Sequence, residues 1–310
     1  MEPSIFMQQF VAPCGYLSKL RVMFTHTLSI SLFAFMGIFY SGHAFAAKED
    51  KPPFYKVTWQ GQHAFLLGSI HVGKADFYPL ANQIEQAFEQ SDVLVVEADV
   101  AKADTMSLLQ QFGSADEVLL TQAQAISAEF CQQAQQLCRG LEQFAPWLQA
   151  AQISLVRFGA LGYSADEGVD ARFVASRQNK PLLELESVAF QFELISSFSD
   201  NTQIQMLDEA INASDDEMLA LISAWRDGDE AKLAAIMEYQ AGESDELISK
   251  LLWQRNHSMS TTMLTYMEQH LTQQLFFIVG AGHLVGQQNI PDLLSQKGAV
   301  VTACWRQNCQ

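Results

Sequence analysis

Phe65 to Gly73 reads FLLGSIHVG, and Phe276 to Gly286 reads FFIVGAGHLVG. An apolar run, a glycine, two small or apolar residues and a histidine therefore occur twice, delivering His71 and His283. Between them lie Glu97, which ends the run VLVVE and has Asp99 two residues on, and Glu184 and Glu186 in PLLELE. Two neutral imidazoles with carboxylate oxygens are ordinary ligands for a divalent transition metal, and they leave positions open for water and substrate. Such a metal lowers the pKa of its bound water toward neutrality, and a nearby glutamate can take and return the proton. Without a metal, His71 or His283 reads as a general base working with Glu97. Each residue alone also reads as a hydrogen-bonded or solvated loop residue, and one of Glu184 and Glu186 as merely solvated or helix-capping. The coincidence of two histidines and two glutamates at equivalent places is what points to a site.

Those places are defined by the elements around them. The β signals are HAFLLGS at 63–69, VLVVE at 93–97, PLLELE at 181–186, LFFIVG at 275–280 and AVVTACW at 299–305. They are short apolar runs without strict alternation, as expected of parallel strands covered on both faces. Helical patterns fill the stretches between, with insertions around 101–160 and 203–273. The expected fold is α/β, with a mostly parallel mixed sheet, two pseudo-repeated halves and a large helical insertion. In open α/β sheets ligands bind beyond the carboxyl ends of the strands. Four of the runs deliver an imidazole or a carboxylate to that edge, and a glycine ahead of each histidine lets the chain turn sharply off its strand.

Composition sets the compartment and removes some partners. The chain has 310 residues, 49% of them hydrophobic and 17% charged, which suits a folded domain. Lys19 and Arg21 precede an apolar stretch, Thr27 to Tyr40, followed by Ala44-Phe45-Ala46. That is the order of a secretory signal, so residues 1–46 read as a cleaved leader and 47–310 as a single domain, periplasmic or extracellular. The rival reading is an uncleaved anchor. A net charge of −17 repels phosphate backbones and anionic lipid, so neither nucleic acid nor a membrane surface is an expected partner of the mature protein. Outside the leader the cysteines are Cys131, Cys138, Cys304 and Cys309. In an exported chain they are expected to form two local disulfides, Cys131–Cys138 and Cys304–Cys309, the rival being a zinc site.

Several motifs in order resemble one family. LLGSIHVGKADFYPL with SDVLVVEAD, then GYSADEGVDARFV with KPLLELESVAFQ, and finally QRN with FFIVGAGHLVG look like the TraB/GumN family, which includes the Tiki metalloproteases. The resemblance runs from about Phe54 to Trp305 and implies an erythromycin-esterase/ChaN-like fold. It implies divalent-metal proteolysis, usually with manganese or cobalt, and carries the site onto His71, His283 and Glu97. The LE element falls on Glu186, expected to complete the metal site with Glu97, and the RN pair on Arg255 and Asn256, while the usual preceding glutamate is replaced here by Gln254. The expected activity is therefore that of an exported hydrolase dependent on Mn, Co or Zn, acting on a peptide or small molecule. A non-enzymatic haem or metal binder and a metal-free His/Glu hydrolase are the alternatives. Tyr78 and Tyr163 are available to haem, although neither stands in a haem motif. Asp170 in GYSADEGVD reads either as the carboxylate that orients a ligand histidine or as a helix cap. Arg255 reads equally as a fork for a substrate carboxylate or as the neutraliser of the glutamates.

Overall fold

Tyr55, Val57 and Trp59 alternate with lysine and threonine, so a search for unbroken apolar runs passes over the segment. Yet Phe54–Trp59 forms β1. This computed structural model describes residues 50–241 and 245–309, and the expected leader, 1–46, lies outside them. β1 turns through Gln60 and Gly61 into β2 (Gln62–Ser69). Both turn residues have positive φ, 48° and 82°. That is the handedness of a two-residue hairpin turn, with glycine at the second position.

The remaining strands are β3 (Val93–Val96), β4 (Leu182–Glu184), β5 (Leu275–Gly280) and β6 (Val300–Ala303). Their order across the sheet is β4-β3-β5-β2-β1-β6. β4, β3, β5 and β2 run parallel as neighbours, and β1 is antiparallel to both β2 and β6. The architecture is thus a mixed six-stranded α/β sheet, and the five runs read from the sequence each contain a strand. PLLELE differs in extent. Its strand stops at Glu184, although the Leu185 and Glu186 amides still bond the carbonyls of Val96 and Glu97 at 2.9 and 2.8 Å.

The lack of alternation has a physical cause. Phe65, Leu67, Phe276, Ile278, Leu94 and Val96 pack in the core on one face. Leu66, Phe277, Val279, Val93 and Val95 pack in the core on the other. Both faces exclude water, so these positions are apolar on both sides of the strand. Phe276 and Phe277 are essentially inaccessible, and burying a side chain of that size contributes about 1.5–3 kcal/mol.

Helices fill both expected insertions. Pro146–Ala160 from the first packs against Asp200–Asn212, near the start of the second. Trp225, on the helix Asp215–Asp227, is fully buried and donates its indole N–H to the Gly68 carbonyl at 2.8 Å, tying the second insertion to the end of β2. Cys131 is paired with Cys138, and Cys304 with Cys309. Among the described residues no helix is long and apolar enough to cross a membrane.

Candidate functional site

The adjacent carboxyl ends of β4, β3, β5 and β2 carry Glu186, Glu97, His283 and His71 toward one place, but the two histidines leave their strands differently. After Ser69 the chain leaves β2 without forming a helical turn and bends at His71, and a second loop clamps it. Gly73 and Ser164 exchange backbone hydrogen bonds of 2.9 Å, and the Val169 amide donates to the Ile70 carbonyl at 3.0 Å. The backbones touch so closely that a Cβ on Gly73 would lie 1.9 Å from the Glu167 carbonyl oxygen, and one on Gly168 2.5 Å from that of His71. Glycine is required at both. This clamp begins the helix Val169–Ser176 with Asp170 in its first turn, and Asp170 Oδ1 stands 3.1 Å from His71 Nδ1. The charge and hydrogen bond of Asp170 raise the His71 pKa to about 9, against the opposing effect of desolvation. The ring is 70% exposed, so water screens the pair.

After Gly280 the chain instead coils into a short 3-10 turn, Ala281–Leu284, which buries His283. Its Nδ1 lies 2.5 Å from Asn256 Oδ1, while Asn256 Nδ2 donates to the Gln288 carbonyl at 2.9 Å. That second bond orients the amide. His283 Nδ1 must then carry the proton, which leaves the lone pair on Nε2. Burial pushes the His283 pKa down to about 4, and the nearby Glu97 only partly offsets this. The ring is neutral at pH 7.

Arg255 and Asn256 are presented by the helix Gln254–Gln269, directly after a π-helical turn, Ser249–Trp253. Such turns widen a helix locally and recur at functional sites. Arg255 is nearly buried, and its donors are directed at protein acceptors. Nε lies 3.1 and 3.0 Å from the two Glu186 oxygens, Nη2 lies 2.8 Å from Glu186 Oε2 and 2.6 Å from Glu97 Oε2, and Nη1 bonds the Leu251 carbonyl at 2.9 Å. Of the two readings of Arg255, this geometry matches the neutraliser. Glu186 is almost completely enclosed in the ion pair. Glu97 Oε1 accepts from the Gly280 amide at 2.6 Å and lies 3.5 Å from His283 Nε2. Burial opposes charge on Glu97, but His283, Arg255, His71 and the Gly280 amide outweigh it and hold the carboxyl at about 2.

Gly280 is the hub. A Cβ there would lie 3.3 Å from Glu97 Oε1, 3.7 Å from His283 Cδ2 and 3.9 Å from His71 Nε2. Each imidazole has its Nδ1 tied, to Asp170 or to Asn256, as metal-ligating histidines require. Three carboxylates stand against two positive groups, Glu97 and Glu186 against the Arg255 guanidinium and Asp170 against the protonated His71, which leaves a net negative charge that suits a cation. The donor types therefore fit a divalent metal held by His71, His283 and Glu97. Their spacing is open, however. Among the described residues no three His, Cys, Asp or Glu side chains stand close enough to enclose an ion as they are.

Other acidic residues of the sequence reading serve elsewhere. Asp99 caps a short turn by accepting from the Ala101 amide, and Glu184 accepts from the Asp99 amide. His257 and His270 pair with Gln288 and Gln273. Tyr78 donates to the Glu167 carbonyl at 2.8 Å. Gln191, which the sequence did not single out, reaches Glu97 Oε2 and Glu186 Oε2 at 3.4 Å each. A largely apolar cavity of about 770 Å³ opens within the insertions beside the site. Leu251, Leu252 and Met237 line it, and the last two would touch a Cβ on Gly282.

A model of the TraB/PrgY/gumN family matches residues 53–303. The uncharacterized protein YbaP of Shigella flexneri is 25% identical over 249 residues, covering 78% of this chain and 92% of that one. The protein of the same name from Escherichia coli (strain K12) matches with the same identity and coverage. A metalloprotease TIKI homolog from Amphimedon queenslandica is 31% identical over 72 residues, 22% of this chain and 14% of that one. No solved structure matches the chain.

Proposed function

The chain belongs to the TraB/PrgY/gumN family, and from that premise we propose that it is an exported, divalent-metal-dependent hydrolase of the peptidase kind. The observation that carries the reading is the facing of His71 Nε2, His283 and Glu97 Oε1 around Gly280. The partial likeness to a metalloprotease TIKI homolog agrees with it. His71, His283 and Glu97 would hold the ion, with manganese, cobalt or zinc suited to two imidazoles and a carboxylate. The bound metal would supply Lewis acidity and a water of lowered pKa.

The protein's own residues prepare that chemistry. Asn256 keeps the Nε2 lone pair of His283 facing the site, whereas Asp170 holds the ring of His71, which is protonated at pH 7 and would release its Nε2 proton on binding a metal. Glu186 anchors Arg255, and His283, Arg255, His71 and the Gly280 amide together hold the Glu97 carboxyl at about 2, so it is ionised at pH 7. The apolar cavity beside the helix turn offers a place for uncharged parts of a peptide or small-molecule substrate. The two disulfides suit an oxidising, exported location.

One observation favours a second reading. Both oxygens of Glu97 already have protein partners, so the site is also coherent as a metal-free hydrolase in which neutral His283 is the base. Elemental analysis of protein purified without a polyhistidine tag, combined with a peptide-hydrolysis screen before and after chelation, separates the two. About one equivalent of Mn, Co, Fe or Zn, with hydrolysis lost on chelation, is the expected result. Hydrolysis that survives complete metal removal would move the assignment to the metal-free reading, and absence of both metal and hydrolysis would end both.

A further inference from the structure

Ser69 stands two residues before His71, at the end of β2, and is 2% exposed. Its Oγ is buried and has no hydrogen-bond partner among the described residues. A hydroxyl in that state is worse off than in water unless something binds it, so a native fold that keeps one needs a reason.

The sheet register says which way this hydroxyl faces. Phe65 pairs with Phe276, Leu67 with Ile278 and Ser69 with Gly280, and paired residues of parallel strands project to the same face. The first two pairs lie in one core, so Ser69 shares a face with the side of Gly280 on which Glu97 Oε1, His283 and His71 Nε2 converge. A buried, unsatisfied hydroxyl is therefore a register neighbour of the convergence point, on its face. The corresponding position of the second motif is Ala281, which is buried and whose side chain has no polar atom. Only the motif with the exposed histidine carries the extra group.

We propose that Ser69 is a ligand-binding residue of this site, its hydroxyl bonding an oxygen atom held beside His71 and Glu97, either a metal-bound water or an oxygen of the substrate. The inference rests on the metal-dependent reading. Ser69 holds no ion by itself. It fixes the orientation of the oxygen ligand, and in the ligand-free protein it waits unsatisfied.

The test uses Ser69→Ala and Ser69→Thr in the full protein, with three measurements. The thermal midpoint of metal-free Ser69→Ala should equal or exceed that of wild type, because an unsatisfied group is removed. Mn2+ alone should bind Ser69→Ala about 10-fold more weakly if the oxygen is a metal-bound water, an effect of the usual size for lost outer contacts. If the oxygen belongs to the substrate, Mn2+ binds equally and acetohydroxamate, added to the Mn2+ form, binds about 10-fold more weakly. Ser69→Thr keeps the hydroxyl and should restore whichever affinity was lost. A clear drop in the metal-free midpoint of Ser69→Ala would reveal a structural partner and overturn the proposal. Equal affinity of wild type and Ser69→Ala for both probes would overturn it alone, whereas failure of wild type to bind Mn2+ would overturn the metal reading and this inference with it.

Discussion

His71 and His283 end the same four-residue motif, on neighbouring parallel strands, and yet they are chemically opposite. His71 lies at a bend just past β2, largely in solvent, beside a carboxylate that raises its pKa to about 9. His283 lies in a tight turn, buried, beside an amide, with its pKa lowered to about 4. The motif delivers each ring to the strand end. The partner at Nδ1 and the water around the ring decide its charge. The two share one further feature, which is the one that matters for a ligand: in each Nδ1 is held by a partner and Nε2 is the nitrogen left for the site, already unprotonated in His283 and still to lose its proton in His71.

The comparison can be broken hardest on the buried side. Arg255→Ala leaves Glu97 and Glu186 charged and enclosed, so urea unfolding at pH 7 should give a stability lower by about 3–5 kcal/mol. A wild-type unfolding midpoint would mean that the two glutamates do not depend on the guanidinium. Asn256→Ala strips the acceptor from a buried N–H and should cost about 1–3 kcal/mol. The matching change on the exposed side, Asp170→Ala, should cost under about 1 kcal/mol, because water replaces the lost carboxylate. Equal costs at Asn256 and Asp170 would erase the distinction between the two histidines.

The smallest effects are those of pH, and their signs differ. In chelator-treated protein, the His71 pKa is raised above its ordinary 6.5, so its contribution to stability is present below pH 6.5 and fades as pH rises toward 9. The His283 pKa is lowered, so its contribution is present above pH 6.5 and fades as pH falls toward 4. Proton NMR of the imidazoles should find one ring titrating on each side of 6.5, and Asp170→Asn should return only the His71 resonance toward it. Two rings titrating together near 6.5 would contradict the assigned environments.

The sequence revealed much of this arrangement because buried parallel strands write themselves as unbroken apolar runs. LFFIVG matches β5 residue for residue, and Glu97 and Glu186 at the ends of two such runs and His71 and His283 just past two others stand at one edge. β1 was illegible because one side of its hairpin alternates with polar residues. The difference between the histidines was illegible for another reason. GSIH and GAGH look alike, and the irregular, bent path of one and the coiled path of the other are set by distant contacts, the clamp at Gly73 and Gly168 and the packing of Asn256. Asp170 and Arg255 were visible only as alternatives, since an acid near a helix start and a lone arginine each have several ordinary uses. Gln191 and Ser69 carry no signal in a single sequence, being common polar residues whose roles depend wholly on their neighbours across the sheet. The described residues do not establish two repeated halves, because the twin motifs leave their strands by different routes.

The central claim is that two unlike histidines serve one ion. Isothermal titration of Mn2+ into wild type, His71→Ala and His283→Ala, each checked by circular dichroism for an unchanged fold, tests it most directly. The account predicts about one equivalent bound by wild type and most of that binding lost in each variant, because two remaining ligands hold a divalent ion poorly. Full wild-type stoichiometry and affinity in both folded variants would contradict it.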